Sequence, residues 1–166
     1  MSNTKKLSVA SLLVAVGVVL SGFYIPVGVA KVFPVQHMVN LVAAVMLGPL
    51  YAVLTAFVTS VIRVSTGTGS LLSFPGSMVG ACLAGLLYRR YRCLGAAFVG
   101  ELVGTGLLGA IIAYPVAALL LSKEVALFSF VIPFSMSSAA GALIGLAGIV
   151  SLEKTGMVYT KIEGGL

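Results

Sequence analysis

The stretch Lys31-Val32-Phe33-Pro34-Val35-Gln36-His37-Met38-Val39-Asn40 places four polar side chains between two long apolar runs. If a helix begins near Pro34, Gln36 and Asn40 lie one turn apart on one face, with His37 beside them. Because polar groups are costly next to lipid, we expect this face to point into a helix bundle. The pattern predicts the lining of a small-molecule pocket. A polar loop that merely ends a helix is the simpler alternative.

The composition indicates that lipid is the main solvent of the chain. Its 166 residues are 60% hydrophobic and 8% charged, and the mean hydropathy is +1.17. A soluble domain needs more polar surface than such a chain can supply. The formal net charge of +6 does not indicate nucleic-acid binding, because the basic residues are scattered between apolar runs. We expect one all-α integral membrane domain over residues 1–166.

The apolar runs predict a bundle of six transmembrane helices. A cleavable signal peptide ending near Gly28-Val29-Ala30 is less favoured, because the rest of the chain is equally apolar and needs a first span. Turns are predicted at Gly48-Pro49 and at Ser122-Lys123-Glu124, and a polar tail follows the last span. The predicted spans are 7–24, 34–47, 50–64, 74–88, 94–121 with a break or kink near Pro115, and 125–152.

The distribution of lysine and arginine predicts the orientation. With the amino terminus inside, seven basic residues fall on the cytoplasmic side and three on the outer side, which favours two cytoplasmic termini in the cell membrane. Spans two, four and six then enter from outside near Pro34, Pro75 and Pro133. Three positive helix ends would point toward the outer half of the bundle. The cytoplasmic set is Lys5, Lys6, Arg89, Arg90, Arg92, Lys154 and Lys161; the outer set is Lys31, Arg63 and Lys123.

Further candidates for ligand binding lie outside the opening stretch. Arg63 ends span three, and Phe74 or Tyr114 could stack on a flat ligand, although all three could instead be interfacial residues. Glu101 lies inside span five and needs a partner, a proton or water. Counting along the span places it nearer the inner face than the pocket. The predicted ligand site is Gln36, His37, Asn40, Arg63, Phe74, Ser77, Glu101 and Tyr114.

No motif indicates catalysis or metal binding. The single histidine has no acidic neighbour in the sequence, and Cys82 and Cys93 lack the spacing of a zinc site. The loop Gly67-Thr68-Gly69-Ser70 is not a P-loop, because no Gly-Lys-Ser/Thr follows it. Such a loop could still close over a ligand. With no nucleotide-binding motif present, any ATP-driven step would need another subunit.

The order and spacing of several motifs resemble a known family. They are Phe33-Pro-Val-Gln-His37, Thr59-Ser-Val-Ile-Arg63, Phe74-Pro-Gly-Ser-Met78, Gly100-Glu101 and Tyr114-Pro115. Together they resemble a substrate-binding S component of the energy-coupling factor (ECF) transporters, and most closely the thiazole-specific ThiW type. The resemblance covers nearly the whole chain.

The resemblance implies a mechanism and partners. An S component captures a vitamin or precursor outside and then topples beside a membrane-embedded T component, while two ABC-type ATPase subunits use ATP and Mg. It would need no cofactor of its own. Docking through an Ala-x-x-x-Ala face on span one would correspond here to Ser11-x-x-x-Ala15. The implied ligand is 4-methyl-5-hydroxyethylthiazole, whose ring nitrogen and hydroxyl suit a pocket rich in hydrogen-bond donors.

Three alternatives remain open. The chain could be an S component for another small vitamin such as thiamine. It could be a proton-coupled secondary carrier that uses Glu101, although we find no convincing inverted repeat. It could also be a structural or regulatory membrane subunit without a ligand. An intramembrane enzyme is the least favoured reading.

Overall fold

The computed structural model describes residues 1–27, 30–122 and 126–155, which form six helices and a small hairpin. In the hairpin the two strands are antiparallel, with Pro26 opposite Lys31. The all-helical class predicted from the sequence is confirmed apart from this hairpin. The elements are α1 (Asn3–Val19, continued by a 3₁₀ turn over Leu20–Gly22), β1 (Ile25–Val27), β2 (Ala30–Val32), α2 (Pro34–Leu47), α3 (Pro49–Ser65), α4 (Ser73–Tyr91), α5 (Leu94–Leu120) and α6 (Val131–Lys154).

Helix α2 is the centre of the bundle. Ten of its 14 residues are buried, including Gln36, His37 and Asn40, and it packs against α1, α3, α4, α5 and α6. The prediction that the polar face of this segment points into the bundle is therefore confirmed. The turn predicted at Gly48-Pro49 is also present, because Gly48 adopts a φ of +88° that side chains disfavour.

Three of the six helices are long and apolar enough to cross a membrane: α1 with its 3₁₀ turn, α5 and α6. Helices α2 and α3 are apolar but shorter, with 14 and 17 residues. At about 1.5 Å per residue α2 is roughly 21 Å long, which is less than the hydrocarbon core of about 30 Å. The molecule is thus of the all-helical membrane type, while the count of six spans stays a prediction.

The start of the last helix differs from the prediction. Helix α6 begins at Val131 rather than near residue 125, and a turn precedes it, with Val131 N–H bonded to Phe128 O. This start puts Pro133 in the first helical turn, where its missing N–H is not needed. Some of the predicted features lie outside the described residues: the possible cleavage site at Gly28-Val29, the turn at Lys123-Glu124, and Lys161 and Glu163 of the tail.

Helix α5 contains two π-helical segments. The predicted irregularity near Pro115 is present as a π-helical segment, Val116–Leu120, directly after the proline. A second π-helical segment, Gly104–Gly109, was not predicted. There α5 touches α4 backbone to backbone: a Cβ on Gly104 would lie 2.8 Å from Gly80 Cα, and one on Gly109 would lie 2.6 Å from Gly76 Cα. Glycine is therefore required at Gly104 and Gly109 of α5, and at Gly80 of α4, where a Cβ would overlap Thr105 Oγ1.

Candidate functional site

A cavity of about 650 Å³ lies where α2, α4 and α6 begin. The first turns of these helices contain Pro34, Pro75 and Pro133, so the three proline-marked helix starts predicted from the sequence surround one space. The carboxyl end of α3, the loop after it and β2 complete the wall. The lining residues are Lys31, Phe33, Gln36, His37, Arg63, Gly67, Thr68, Gly69, Ser70, Leu72, Ser73, Gly76, Ser77, Ser129, Phe130, Pro133, Phe134 and Ser137.

Hydrogen bonds fix the beginning of α2 against its neighbours. Gln36 Nε2 donates to Ser60 Oγ on α3 at 3.1 Å. The backbone N–H of Phe33 donates to Ser137 Oγ on α6 at 3.2 Å, and Ser137 Oγ in turn donates to the carbonyl of Pro133 at 2.8 Å. The polar residues of α2 are therefore held in place before any ligand arrives.

Glu101 has three side-chain donors within hydrogen-bond distance deep in the bundle. Its Oε1 atom is 2.8 Å from His37 Nδ1 and 3.1 Å from both Asn40 Nδ2 and Thr105 Oγ1. One of these donors, the hydroxyl of Thr105, has the carbonyl of Gly76 as an alternative acceptor at 3.0 Å. The carboxylate is fully buried, and Oε2 has no partner among the described residues. With Nδ1 donating to the carboxylate, Nε2 of a neutral His37 is an acceptor on the ring that lines the cavity.

This arrangement corrects one statement made from the sequence. Glu101 was expected nearer the inner face than the pocket, but it is hydrogen-bonded to His37 in the cavity wall. His37 has no acidic neighbour in the sequence, yet it has this acidic partner in the fold. The reason is the short helix α2, which places His37 and Asn40 within the bundle rather than at its edge. Glu101 can therefore meet them from about two turns into α5.

Asn40 links α2 to α4 behind the cavity wall. Its Nδ2 atom lies 3.1 Å from the carbonyl oxygen of Ser77 and 3.0 Å from Ser77 Oγ, while Ser77 Oγ can donate to Asn40 Oδ1 at 3.1 Å. The site thus has two layers. Gln36, His37 and Ser77 line the cavity. Behind them, Glu101 is bonded to His37 and Asn40 is bonded to Ser77.

Arg63 lies in the cavity wall and is only 2% exposed. Its guanidinium carbon is 5.0 Å from the ring centroid of Phe33, and its Nη2 donates to the carbonyl of Thr68 at 3.2 Å. The loop folds back on Arg63, whose carbonyl accepts the N–H groups of Thr68 and Gly69, both at 2.9 Å. A side chain so buried is not in the position of an interfacial anchor.

Four of the eight predicted residues do not line this cavity: Asn40 and Glu101 lie behind its wall, and Phe74 and Tyr114 lie apart from it. Phe74 packs edge-to-face on Phe57, with the ring centroids 5.8 Å apart, and Tyr114 is half-buried on α5. Conversely, the predicted set omitted Phe130 and Phe134, whose rings lie 5.9 Å apart in the wall. Their position on either side of Pro133, which marks a helix start at the cavity, could have indicated them from the sequence.

The lining chemistry suits binding by hydrogen bonds, charge and ring contacts. Among the described residues no group of three or more His, Cys, Asp or Glu side chains could hold a metal ion. Cys82 and Cys93 are both free thiols.

Comparison with families of known proteins gives a match over most of the chain. The family model ThiW, described as thiamine-precursor transporter protein, matches residues 7–155. The matched range contains every residue that lines the cavity. No curated protein and no solved structure matches the chain.

Proposed function

This chain belongs to the ThiW family of thiamine-precursor transporter proteins, and we propose that it is the substrate-capture subunit of an ATP-driven ECF importer. The observation that carries the proposal is the cavity between three helix starts, inside the family match. Polar side chains of α2, α3, α4 and α6 meet there. In this role the chain binds and presents the ligand, and it performs no catalysis.

The proposed ligand is 4-methyl-5-hydroxyethylthiazole, the thiazole precursor of thiamine. A cavity of about 650 Å³ has the size of ordinary small-molecule sites, which span about 300–1,000 Å³. Phe130 and Phe134 offer ring faces for a flat heterocycle. Gln36, His37 and Ser77 offer partners for its ring nitrogen and hydroxyl. Thiamine itself is the second ligand to test.

In this proposal the cavity opens to the outside of the cell membrane. Arg89, Arg90 and Arg92 are exposed at the carboxyl end of α4, while its amino end lines the cavity. The positive-inside rule would place that basic end in the cytoplasm. Six spans with both termini inside follow from the same assignment.

The proposed partners are a T component and two ABC-type ATPase subunits, which would use ATP and Mg. Helix α1 supports docking of a membrane partner, because Ser11 and Ala15 are exposed on it whereas Ala10 and Gly17 face the bundle. Small exposed residues let another helix approach closely in lipid. The Ser11-x-x-x-Ala15 face is therefore the proposed docking surface.

The test is calorimetry on the purified chain in detergent, with hydroxyethylthiazole and thiamine titrated in parallel. Tight binding of the thiazole supports the capture role, and preference for thiamine keeps the role but changes the ligand. Binding of neither compound would contradict the proposal. His37→Ala is the matched variant, since it removes a lining side chain, and Arg90→Gln is its exposed control.

A second function is favoured by one observation. Glu101 is buried, touches the cavity through His37, and leaves Oε2 without a partner among the described residues. A carboxylate in that setting could carry a proton in a secondary carrier. Liposomes holding this chain alone distinguish the two functions. Uptake driven by a proton gradient, and lost in Glu101→Gln, would support the carrier, whereas binding without uptake supports the capture subunit.

A further inference from the structure

The charged side chains that line the cavity are cationic. Within the described residues Lys31 and Arg63 lie in the wall, and no carboxylate does. The acidic group of the network, Glu101, is behind His37, and three donors lie within hydrogen-bond distance of its Oε1 atom. The positive dipole ends of α2, α4 and α6 add to the same sign of potential. The cavity therefore favours a ligand with negative charge.

Arg63 has hydrogen-bonding capacity that the described residues leave unused. Its Nη2 atom donates to Thr68 O, but Nε is buried without a partner. No carboxylate of the described residues lies within 4.0 Å of its guanidinium. A guanidinium stays protonated in proteins, so this is a buried cation without a counter-ion in the part of the chain that the structure describes. An anion with several acceptor oxygens would neutralise this charge and accept from the unused N–H groups of Arg63.

The surroundings of Arg63 hold it in a fixed position. The centroid of the Phe33 ring lies 5.0 Å from its guanidinium carbon, and the carbonyl of Thr68 accepts a hydrogen bond from its Nη2 atom. Gly69 lets the loop approach, because a Cβ there would lie 2.9 Å from Arg63 Cβ. A guanidinium held in this way in the cavity wall, with N–H groups beyond the one given to Thr68, is suited to binding a phosphate group.

Resting on the proposed function, we propose that Arg63 forms an anion subsite in the cavity. The chain should then bind a thiamine precursor that carries a phosphate ester more tightly than the same precursor with a free hydroxyl. Lys31, at the exposed edge of the wall, contributes longer-range attraction.

The test compares three probes by calorimetry on the full chain in detergent: hydroxyethylthiazole, its phosphate ester and inorganic phosphate. We expect the ester to bind at least about tenfold more tightly than the alcohol, with added salt weakening only the ester. Inorganic phosphate alone should bind weakly. Equal or stronger binding of the alcohol would overturn the anion subsite and leave the proposed function standing. Failure of both thiazoles would instead remove the proposed function.

Variants assign the preference to Arg63. In Arg63→Gln the affinity for the ester should fall at least about tenfold further than the affinity for the alcohol, so the preference for the ester should disappear. Arg63→Lys should keep part of the preference, and Arg90→Gln, at an exposed site, should keep all of it. Unchanged ester binding in Arg63→Gln would overturn the proposal. If Arg63→Gln binds neither compound because it does not fold, the proposal is judged from two other measurements. These are the preference of the wild-type chain for the ester and the partial preference expected in Arg63→Lys.

One carboxylate outside the described residues needs its own variant. Glu124 follows α5 in the sequence, in the connection to α6. We expect the preference for the ester to be the same in Glu124→Gln. A preference that appears only in this variant would mean that the chain itself neutralises the site, and would overturn the proposal.

Discussion

Helices α1 and α2 are both strongly apolar, yet they occupy opposite positions in the molecule. Helix α1 buries only Ala10 and Gly17, whereas α2 buries ten of its 14 residues and carries the centre of the polar network. The difference lies in the polar side chains. The polar side chains of α2, Gln36, His37 and Asn40, each bond to a residue of another helix. The hydroxyl of Ser8 on α1 instead bonds to a carbonyl of its own helix. Polar residues with distant partners, rather than overall hydropathy, identify the central helix.

Glycine substitution should give the largest contrast between the two helices. Gly141 on α6 lies against α2, where a Cβ would overlap the carbonyl oxygen of Pro34 and lie 2.8 Å from His37 Cβ. We expect Gly141→Ala to lower the free energy of unfolding by about 3 kcal/mol and to abolish ligand binding. Thermal unfolding in detergent measures the first effect, and calorimetry measures the second.

The matched control is Gly22→Ala at the end of the 3₁₀ turn after α1, where a new Cβ meets nothing within 4 Å. This variant should unfold within a few degrees of the wild type. A similar loss in both variants would mean that the packing around α2 is no more demanding than that around α1.

Asn40→Ala should cause the next largest effect. It removes donors to Ser77 and Glu101 in a fully buried position. Leaving a buried charged group short of a donor costs about 2 kcal/mol. If this cost raises the free energy of the ligand-bound protein, affinity falls about 30-fold. Calorimetry with the thiazole measures this change. Ser11→Ala on α1 removes an exposed hydroxyl and should leave affinity unchanged; equal losses would refute the distinction between the helices.

Glu101→Gln should have a smaller effect on binding. Its Oε1 position can still accept from His37 and Asn40, but the attraction of the negative charge for these donors is lost. We expect affinity to fall by about threefold to tenfold, with the fold retained. An unchanged affinity in the calorimeter would show that the residues behind the wall do not support the site.

Ala15→Leu should change binding least. Ala15 is exposed on α1 and away from the cavity, so affinity should stay within about twofold, while uptake by cells that carry the proposed partners should be lost. The control is Ala147→Leu, a matched change on an exposed face of α6. Normal uptake by Ala15→Leu would remove the docking surface from α1.

The sequence allowed prediction of those features that depend on local pattern. Pro34 and Gly48-Pro49 gave the bounds of α2, and Pro115 indicated the irregular winding of α5. The burial of Gln36, His37 and Asn40 followed from the cost of placing them beside lipid. Each of these inferences used only neighbouring residues.

The features that could not be predicted depend on which residues of different helices meet inside the bundle. The pairing of His37 with Glu101 joins residues 64 positions apart, and it requires that a short α2 begin inside the molecule. The π-helical turn at Gly104–Gly109 likewise reflects contact with Gly76 and Gly80 rather than a local signal. Phe74 and Tyr114 were predicted to line the cavity but lie outside it. That prediction failed because the sequence does not determine the direction of an aromatic side chain near a helix end.

The glycine contact between α4 and α5 has a consequence for entropy. Gly76, Gly80, Gly104 and Gly109 have no side-chain rotamers, so bringing these two helices together freezes almost no side-chain freedom. In lipid, where no hydrophobic effect draws helices together, dispersion between the two backbones can then be sufficient. We expect α4 and α5 to remain joined on heating after helices held by long side chains have separated. Amide hydrogen exchange at rising temperature would measure this order.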